Sequence, residues 1–130
     1  MRPLGIDHIV LRTERLDAML AFYRDVIGCT VERVQEEIGL YQLRAGASLI
    51  DLVPVDGKLG RMGGAAPGKT ARNLDHFCLQ IADFDPAQVR RHLQAHGVEV
   101  GEEGVRYGAK GSAVSIYLAD PDGNGVELRA

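Results

Sequence analysis

Two histidines and two carboxylates stand at matched places along this 130-residue chain. His8 lies in Ile6-Asp7-His8-Ile9-Val10-Leu11, and His76 lies in Leu74-Asp75-His76-Phe77-Cys78-Leu79, 68 positions later. Asp51 lies between Ile50 and Leu52, and Glu127 lies between Val126 and Leu128, 76 positions later. Two imidazoles and two carboxylates make a mixed nitrogen and oxygen donor set. Such a set suits Zn, Ni, Co, Mn or Fe in an open octahedral site, with two positions left for water or substrate. One such residue alone in a strand is ordinarily a satisfied polar side chain. The paired recurrence, at a period near half the chain, is what points to two copies of one structural unit sharing one piece of chemistry.

The elements needed to position these four residues are legible in the pattern. Residues 6–12 read as a strand. Leu16, Met19, Leu20, Tyr23, Val26 and Ile27 then fall on one helical stripe that Gly28 terminates. Thr30 to Val34, Tyr41 to Leu43 and Ser48 to Val53 read as three further strands, so the first unit is β-α-β-β-β. The second unit repeats the order. Residues 74–81 read as a strand, and Asp85-Pro86-Ala87-Gln88 is a helix start with Asp as cap and Pro at the first helical position. The helix runs to Gly97, and Val98-Glu99-Val100 is expected to begin the next strand. Val105 to Tyr107 and Val114 to Leu118 form a hairpin across Gly108-Ala109-Lys110-Gly111, Asp120 to Asn124 is a turn, and Val126 to Arg129 closes the unit. Side chains alternate faces along a strand. If the aliphatic neighbours of the four polar residues face the helices, then His8, Asp51, His76 and Glu127 all face the other way.

Composition bounds the function. The chain has the size of one ordinary domain, 45% hydrophobic and 25% charged residues, and a net charge of −3, which speaks against a polyanion-binding role. No apolar run approaches the length of a membrane span, and the N-terminus lacks the apolar core of a signal peptide. A cytoplasmic protein with no nucleic-acid or membrane partner is expected. Cys29 and Cys78 form no CxxC pair and are expected as two reduced, mostly buried thiols. Gly57 to Arg72 carries five glycines, Lys58, Arg61, Lys69 and Arg72 and no acid. This basic island is either a lid that meets an anionic substrate or a solvated linker. Within it, Gly63-Gly64-Ala65-Ala66-Pro67-Gly68-Lys69-Thr70 matches the P-loop spelling but lacks the strand before and the helix after that phosphate binding requires. His92 and His96 share a helix face with no carboxylate to complete a metal site, so a solvent-facing role is expected for both.

These phrases, together with Ala21-Phe22-Tyr23-Arg24-Asp25-Val26-Ile27-Gly28 and Tyr117-Leu118-Ala119-Asp120-Pro121-Asp122-Gly123-Asn124-Gly125-Val126-Glu127-Leu128, resemble the vicinal oxygen chelate superfamily, which includes glyoxalase I. The resemblance covers nearly the whole chain and is specific for the superfamily rather than for one activity. It implies an α+β fold in which two βαβββ modules form a curved, incomplete barrel around a divalent metal. The expected organisation is one domain, with module 1 at about 4–56, a linker at about 57–73 and module 2 at about 74–130. The family's metal ligands fall on His8, His76 and Glu127. The fourth position falls on Asp51, one methylene shorter than the Glu or Gln usual in glyoxalase I and so expected to bind more weakly. In that family the metal acts as a Lewis acid on neighbouring substrate oxygens, and a carboxylate moves a proton between adjacent carbons. By similarity Glu127 is the candidate base and Asp51 the alternative. A glyoxalase I-type lyase acting on a small molecule, anionic or a glutathione adduct, and working as a homodimer, is the leading expectation. Fosfomycin-type thiol transfer, extradiol ring cleavage and a metal-free drug-binding module of the bleomycin-resistance kind are the alternatives.

Overall fold

The computed structural model describes all 130 residues, Met1–Ala130, in two compact units, Met1–Asn73 and Leu74–Ala130. The first unit contains strand β1 (His8–Thr13), helix α1 (Leu16–Ala21), and strands β2 (Thr30–Gln35), β3 (Leu40–Ala45) and β4 (Ser48–Pro54). The second contains β5 (His76–Gln80), helix α2 (Pro86–Ala95), β6 (Glu103–Gly108), β7 (Gly111–Ala119) and β8 (Gly125–Arg129). Each unit is a four-stranded open sheet of identical topology, β1-β4-β3-β2 and β5-β8-β7-β6. In each, the first strand lies at one edge and pairs in parallel with the last, and the remaining pairs are antiparallel. The expected α+β fold with a repeated βαβββ order is what the chain adopts.

The helices end differently, for reasons visible in the backbone. In α2, Asp85 caps the first turn by accepting from the Gln88 N–H at 2.8 Å, with Pro86 at the first helical position. Its last turn closes as a Schellman motif: Gly97 takes φ +70°, its N–H donates to the Gln94 carbonyl, and Val98 N–H donates to the Leu93 carbonyl at 2.9 Å. Glycine adopts that left-handed conformation without strain. Val98 is thereby committed to the helix end, so Val98–Val100 forms no strand, contrary to the sequence expectation, and β6 starts only at Glu103. The stripe from Leu16 to Ile27 is not one regular helix either. Its second half, Phe22–Val26, widens into a π-turn in which Ile27 N–H reaches the Phe22 carbonyl at 3.1 Å, before Gly28 ends it at φ +86°. The wider turn accompanies the burial of two consecutive aromatics, Phe22 and Tyr23, whose rings meet edge to face at 5.1 Å.

Each sheet has an apolar face and a polar one. In the first unit Leu11, Leu43, Ile50 and Leu52 are buried, with Met19 and Tyr23, and α1 packs on β4. In the second, Ile116, Leu118, Val126 and Leu128 are buried, with Leu93 of α2. Burial of side chains of this size contributes about 1.5–3 kcal/mol each, and it fixes the register, because a slip of one residue would turn every aliphatic side chain to the wrong face. That register turns the four candidate residues to the opposite face.

The segment that follows β4 in the first unit is anchored. The Arg12 guanidinium donates from Nε to the Gly60 carbonyl at 3.1 Å, from Nη1 to those of Gly63 and Ala65 at 2.9 Å each, and from Nη2 to that of Gly64 at 2.6 Å. Gly60–Gly63 is a 3-10 turn. Asn73 then borders β1 as a strand would: its Oδ1 accepts from Arg12 N–H at 3.2 Å and its Nδ2 donates to the Arg12 carbonyl at 3.0 Å. After Lys69-Thr70 comes a bridge between Gly68 and Ala71, not a helix, so the P-loop spelling lacks the context that phosphate binding demands. No helix is long and apolar enough to cross a membrane.

Candidate functional site

His8 and Asp51 come from adjacent parallel strands of the first unit. The register pairs His8 with Leu49 and Val10 with Asp51, which sets His8 and Asp51 on the same face, two residues out of step. His76 and Glu127 repeat the relation in the second unit, where His76 pairs with Gly125 and Cys78 with Glu127. There the two side chains meet directly, His76 Nε2 lying 3.5 Å from Glu127 Oε2.

Both imidazoles are oriented by the aspartate that precedes them in the repeated phrase. His8 Nδ1 bonds Asp7 Oδ1 at 2.7 Å, and His76 Nδ1 bonds Asp75 Oδ1 at 2.6 Å. A carboxylate on one ring nitrogen fixes the tautomer and ring orientation and leaves Nε2 as the lone-pair donor, an arrangement that recurs behind metal-ligating histidines. The bond to Asp7 is the main reason His8 is held above its ordinary value of 6.5; loss of hydration opposes it, and the charges of Asp51 and Asp7 add to it. Sequence reading assigns Asp7 and Asp75 no role; their recurrence immediately before each histidine is the signal that marks them.

The two carboxylates differ in their settings. Glu127 is 5% exposed and takes a hydrogen bond from the Ser115 hydroxyl. Desolvation is the strongest single influence on it and pushes its pKa up. Hydrogen bonds from Ser115 and Tyr117, with the charges of His76 and Arg129, together outweigh that and hold Glu127 below the ordinary 4.5. Tyr117 pairs with Glu127 across β7 and β8, stacks edge-on against His76 at 5.7 Å, and is raised above 10.0 by burial first and then by Glu127. Asp51, 4% exposed, has both carboxylate oxygens engaged by the Gln42 amide, at 3.1 and 3.2 Å. Gln42 and Tyr117 thus hold equivalent cross-strand positions beside the two acids. Sequence reading missed Ser115, Tyr117 and Gln42; the only signal for them was alternation along β3 and β7, and it needs the register to be used.

Cys29 is buried, but Cys78 is exposed, contrary to the expectation of two mostly buried thiols, because β5 turns Cys78 to the polar face beside Glu127. Its thiol is nevertheless pushed up to about 11, by desolvation first and then by Glu127, so it is a thiol rather than a thiolate near neutral pH. His92 and His96 stack at 4.4 Å on the exposed side of α2, and His96 Nδ1 bonds the His92 carbonyl at 2.9 Å. They act as a helix terminus rather than a site.

What each unit offers is therefore a fixed imidazole nitrogen beside a buried carboxylate, with the carboxylate's spare lone pairs held by neutral donors. Within either unit no three His, Cys, Asp or Glu side chains are grouped as the ligands of a metal would be. The donor chemistry of each pair fits a divalent ion of the borderline kind.

Residues 5–128 match the family model of the Glyoxalase/Bleomycin resistance protein/Dioxygenase superfamily. The chain is 36% identical over 125 residues to the glyoxalase domain-containing protein RDO1 of Mycosarcoma maydis, covering 95% of this chain and 66% of that protein. It is 26% identical over 126 residues to a catechol-2,3-dioxygenase of Bacillus subtilis, covering 96% of this chain and 41% of that protein. The chain thus spans about two thirds or less of these relatives' lengths. Among solved structures, a lactoylglutathione lyase from Agrobacterium tumefaciens superposes with a TM-score of 0.71 at 25% identity, covering 99% of this chain and 95% of that one. With its duplicated topology, its twice-repeated Asp-His strand and a family match over nearly its whole length, the chain belongs to the glyoxalase, bleomycin resistance protein and dioxygenase superfamily.

Proposed function

We propose that this protein is a metal-dependent enzyme of the glyoxalase I type, acting on a small molecule that presents neighbouring oxygens to a divalent ion held by His8, His76 and Glu127, with Asp51 as a weaker fourth ligand. The two units and the segment joining them would act as one functional domain, and the working form would be a homodimer in the cytoplasm. The observation that carries this is the aspartate-anchored imidazole beside a buried carboxylate, present twice. A drug-sequestering module has no need of such a pair.

When bound, a divalent ion supplies Lewis-acid polarisation of substrate oxygens. The chain supplies the rest. Glu127, held ionised by Ser115 and Tyr117, accepts a proton from the carbon next to the polarised oxygen and returns it to the adjacent carbon. Tyr117, raised above its ordinary value, stays protonated and orients that carboxylate. Asp51 is the alternative base. The assignment is tested by kinetics on the glutathione hemithioacetal of an α-ketoaldehyde: Glu127→Gln should lower kcat by roughly 100-fold or more, as loss of general acid–base catalysis does. Full turnover by metal-bound Glu127→Gln would remove Glu127 from the role. A second reading, ring cleavage of a catechol, is favoured by the likeness to the Bacillus dioxygenase. Oxygen consumption with a catechol substrate distinguishes it.

A further inference from the structure

Beyond Glu127, the polar face of the second unit opens into a cavity of about 320 Å³ lined by Cys78, Gln80, Tyr107, Lys110, Glu127 and Arg129, with the Gly108-Ala109 backbone. Arg129 is a buried cation, 5% exposed; it makes no direct ion pair, and its charge acts on Glu127 beside it. Its Nη2 donates to the carbonyls of Gly111 at 2.6 Å and Arg106 at 3.4 Å. These bonds fix the guanidinium against the β6–β7 hairpin and leave Nε and Nη1 without a protein acceptor. Gly108 makes room for it, since a Cβ there would collide with Nη1. Lys110, at the hairpin tip, lines the same cavity and has no protein partner. The charged groups lining the cavity are therefore two cations and one carboxylate, a net positive charge. A buried cation is costly unless something compensates it; here two carbonyls and the charge of Glu127 do so without closing a direct ion pair.

We infer that this cavity is the subsite for a substrate carboxylate, held by Arg129 and Lys110, so that the substrate is a small organic acid whose other end reaches Glu127. Glu127 and Arg129 share a face of β8, and the guanidinium is carried sideways to the β6–β7 hairpin by its bonds to Arg106 and Gly111. The polarity of the cavity sets the direction: Glu127 repels an anion at its own end, and the two cations attract it at the other. This inference rests on the proposed function for the identity of the far end, but not for the carboxylate pocket itself.

The test uses metal-free protein, so that it stands or fails apart from metal binding. Backbone and arginine side-chain NMR resonances are followed while succinate, and separately its uncharged diamide, is added. Succinate should shift Gly108 to Gly111 and Arg129 saturably, and the diamide should not. Lys110→Ala, an exposed change that leaves the fold intact, should weaken succinate at least threefold, and Gly108→Ala, which displaces the guanidinium, at least tenfold. Arg129→Gln should abolish binding, provided its spectrum shows the hairpin still formed. Absence of any succinate-dependent shift, equal response to the diamide, or unchanged affinity in both Lys110→Ala and Gly108→Ala would overturn the inference.

Discussion

Glu127 shows how a buried carboxylate can be kept ionised by the groups around it. Its desolvation is offset by two hydroxyl donors and by the charges of His76 and Arg129. A carboxyl whose folded pKa lies below its unfolded value contributes stability that is present above the unfolded pKa and is lost as pH falls through the folded one. In metal-free protein, Glu127 should therefore titrate below 4.5. Ser115→Ala, which removes the hydroxyl donor, should raise that titration and move the onset of acid destabilisation to higher pH; both are read by carbon-detected NMR of the Glu127 carboxyl and by thermal melts across pH 3–6. An unmoved titration would mean that Ser115 is not the donor that matters. His76 carries the other half of the site. Asp75→Asn leaves the ring in place but weakens its anchor, and should reduce metal affinity by roughly 10–100-fold, the usual cost of losing the carboxylate behind a ligating histidine; competition with a chelating dye measures it. His8, His76, Asp51 and Glu127 were readable in the sequence because each lies in a phrase that recurs. Ser115, Tyr117, Gln42 and Arg129 were not, because what makes them matter is which strand lies opposite, and one strand's sequence does not state its partner's register.

The strands and helices were legible wherever local chemistry decides them. The Asp85 cap with Pro86 behind it, the glycine stops and the Gly108–Gly111 hairpin all stand where the residue types put them. Removing the cap with Asp85→Ala should cost about 1 kcal/mol of stability, measured by urea denaturation, with little effect on the sheet-borne site. The expectations that failed were those settled beyond the element. The Val98–Val100 segment has strand-forming residues, but Val98 is consumed in closing α2. The stripe from Leu16 to Ile27 is helical in period, yet burial of Phe22 and Tyr23 side by side goes with a widened turn. The joining segment looked, from its glycines and basic residues, like either a lid or a linker. The deciding residue is Arg12, sixty positions from Arg72, whose guanidinium gathers four carbonyls of the segment. Asn73→Ala removes the side chain that borders β1. It should cost about 1–3 kcal/mol, since it leaves part-buried backbone groups of Arg12 unpaired, and hydrogen exchange at Arg12 should speed accordingly.

At the scale of the molecule, the governing fact is duplication. One βαβββ order, one sheet topology and one histidine-carboxylate relation occur twice. The copies have diverged where function would separate them. The first acid is the shorter Asp51, tied to Gln42 through both oxygens, whereas Glu127 stands beside His76 and above a cationic cavity. The proposed function divides the labour accordingly: each unit offers ligands, and the second also supplies the base and receives the substrate. The metal content of protein purified after metal-replete expression, measured by elemental mass spectrometry alongside His8→Ala and His76→Ala, tests this most directly. One transition-metal ion per chain is expected in the wild type, with loss of at least nine-tenths of it in each variant. A folded wild-type protein without stoichiometric metal, or variants that keep it, would contradict the shared site.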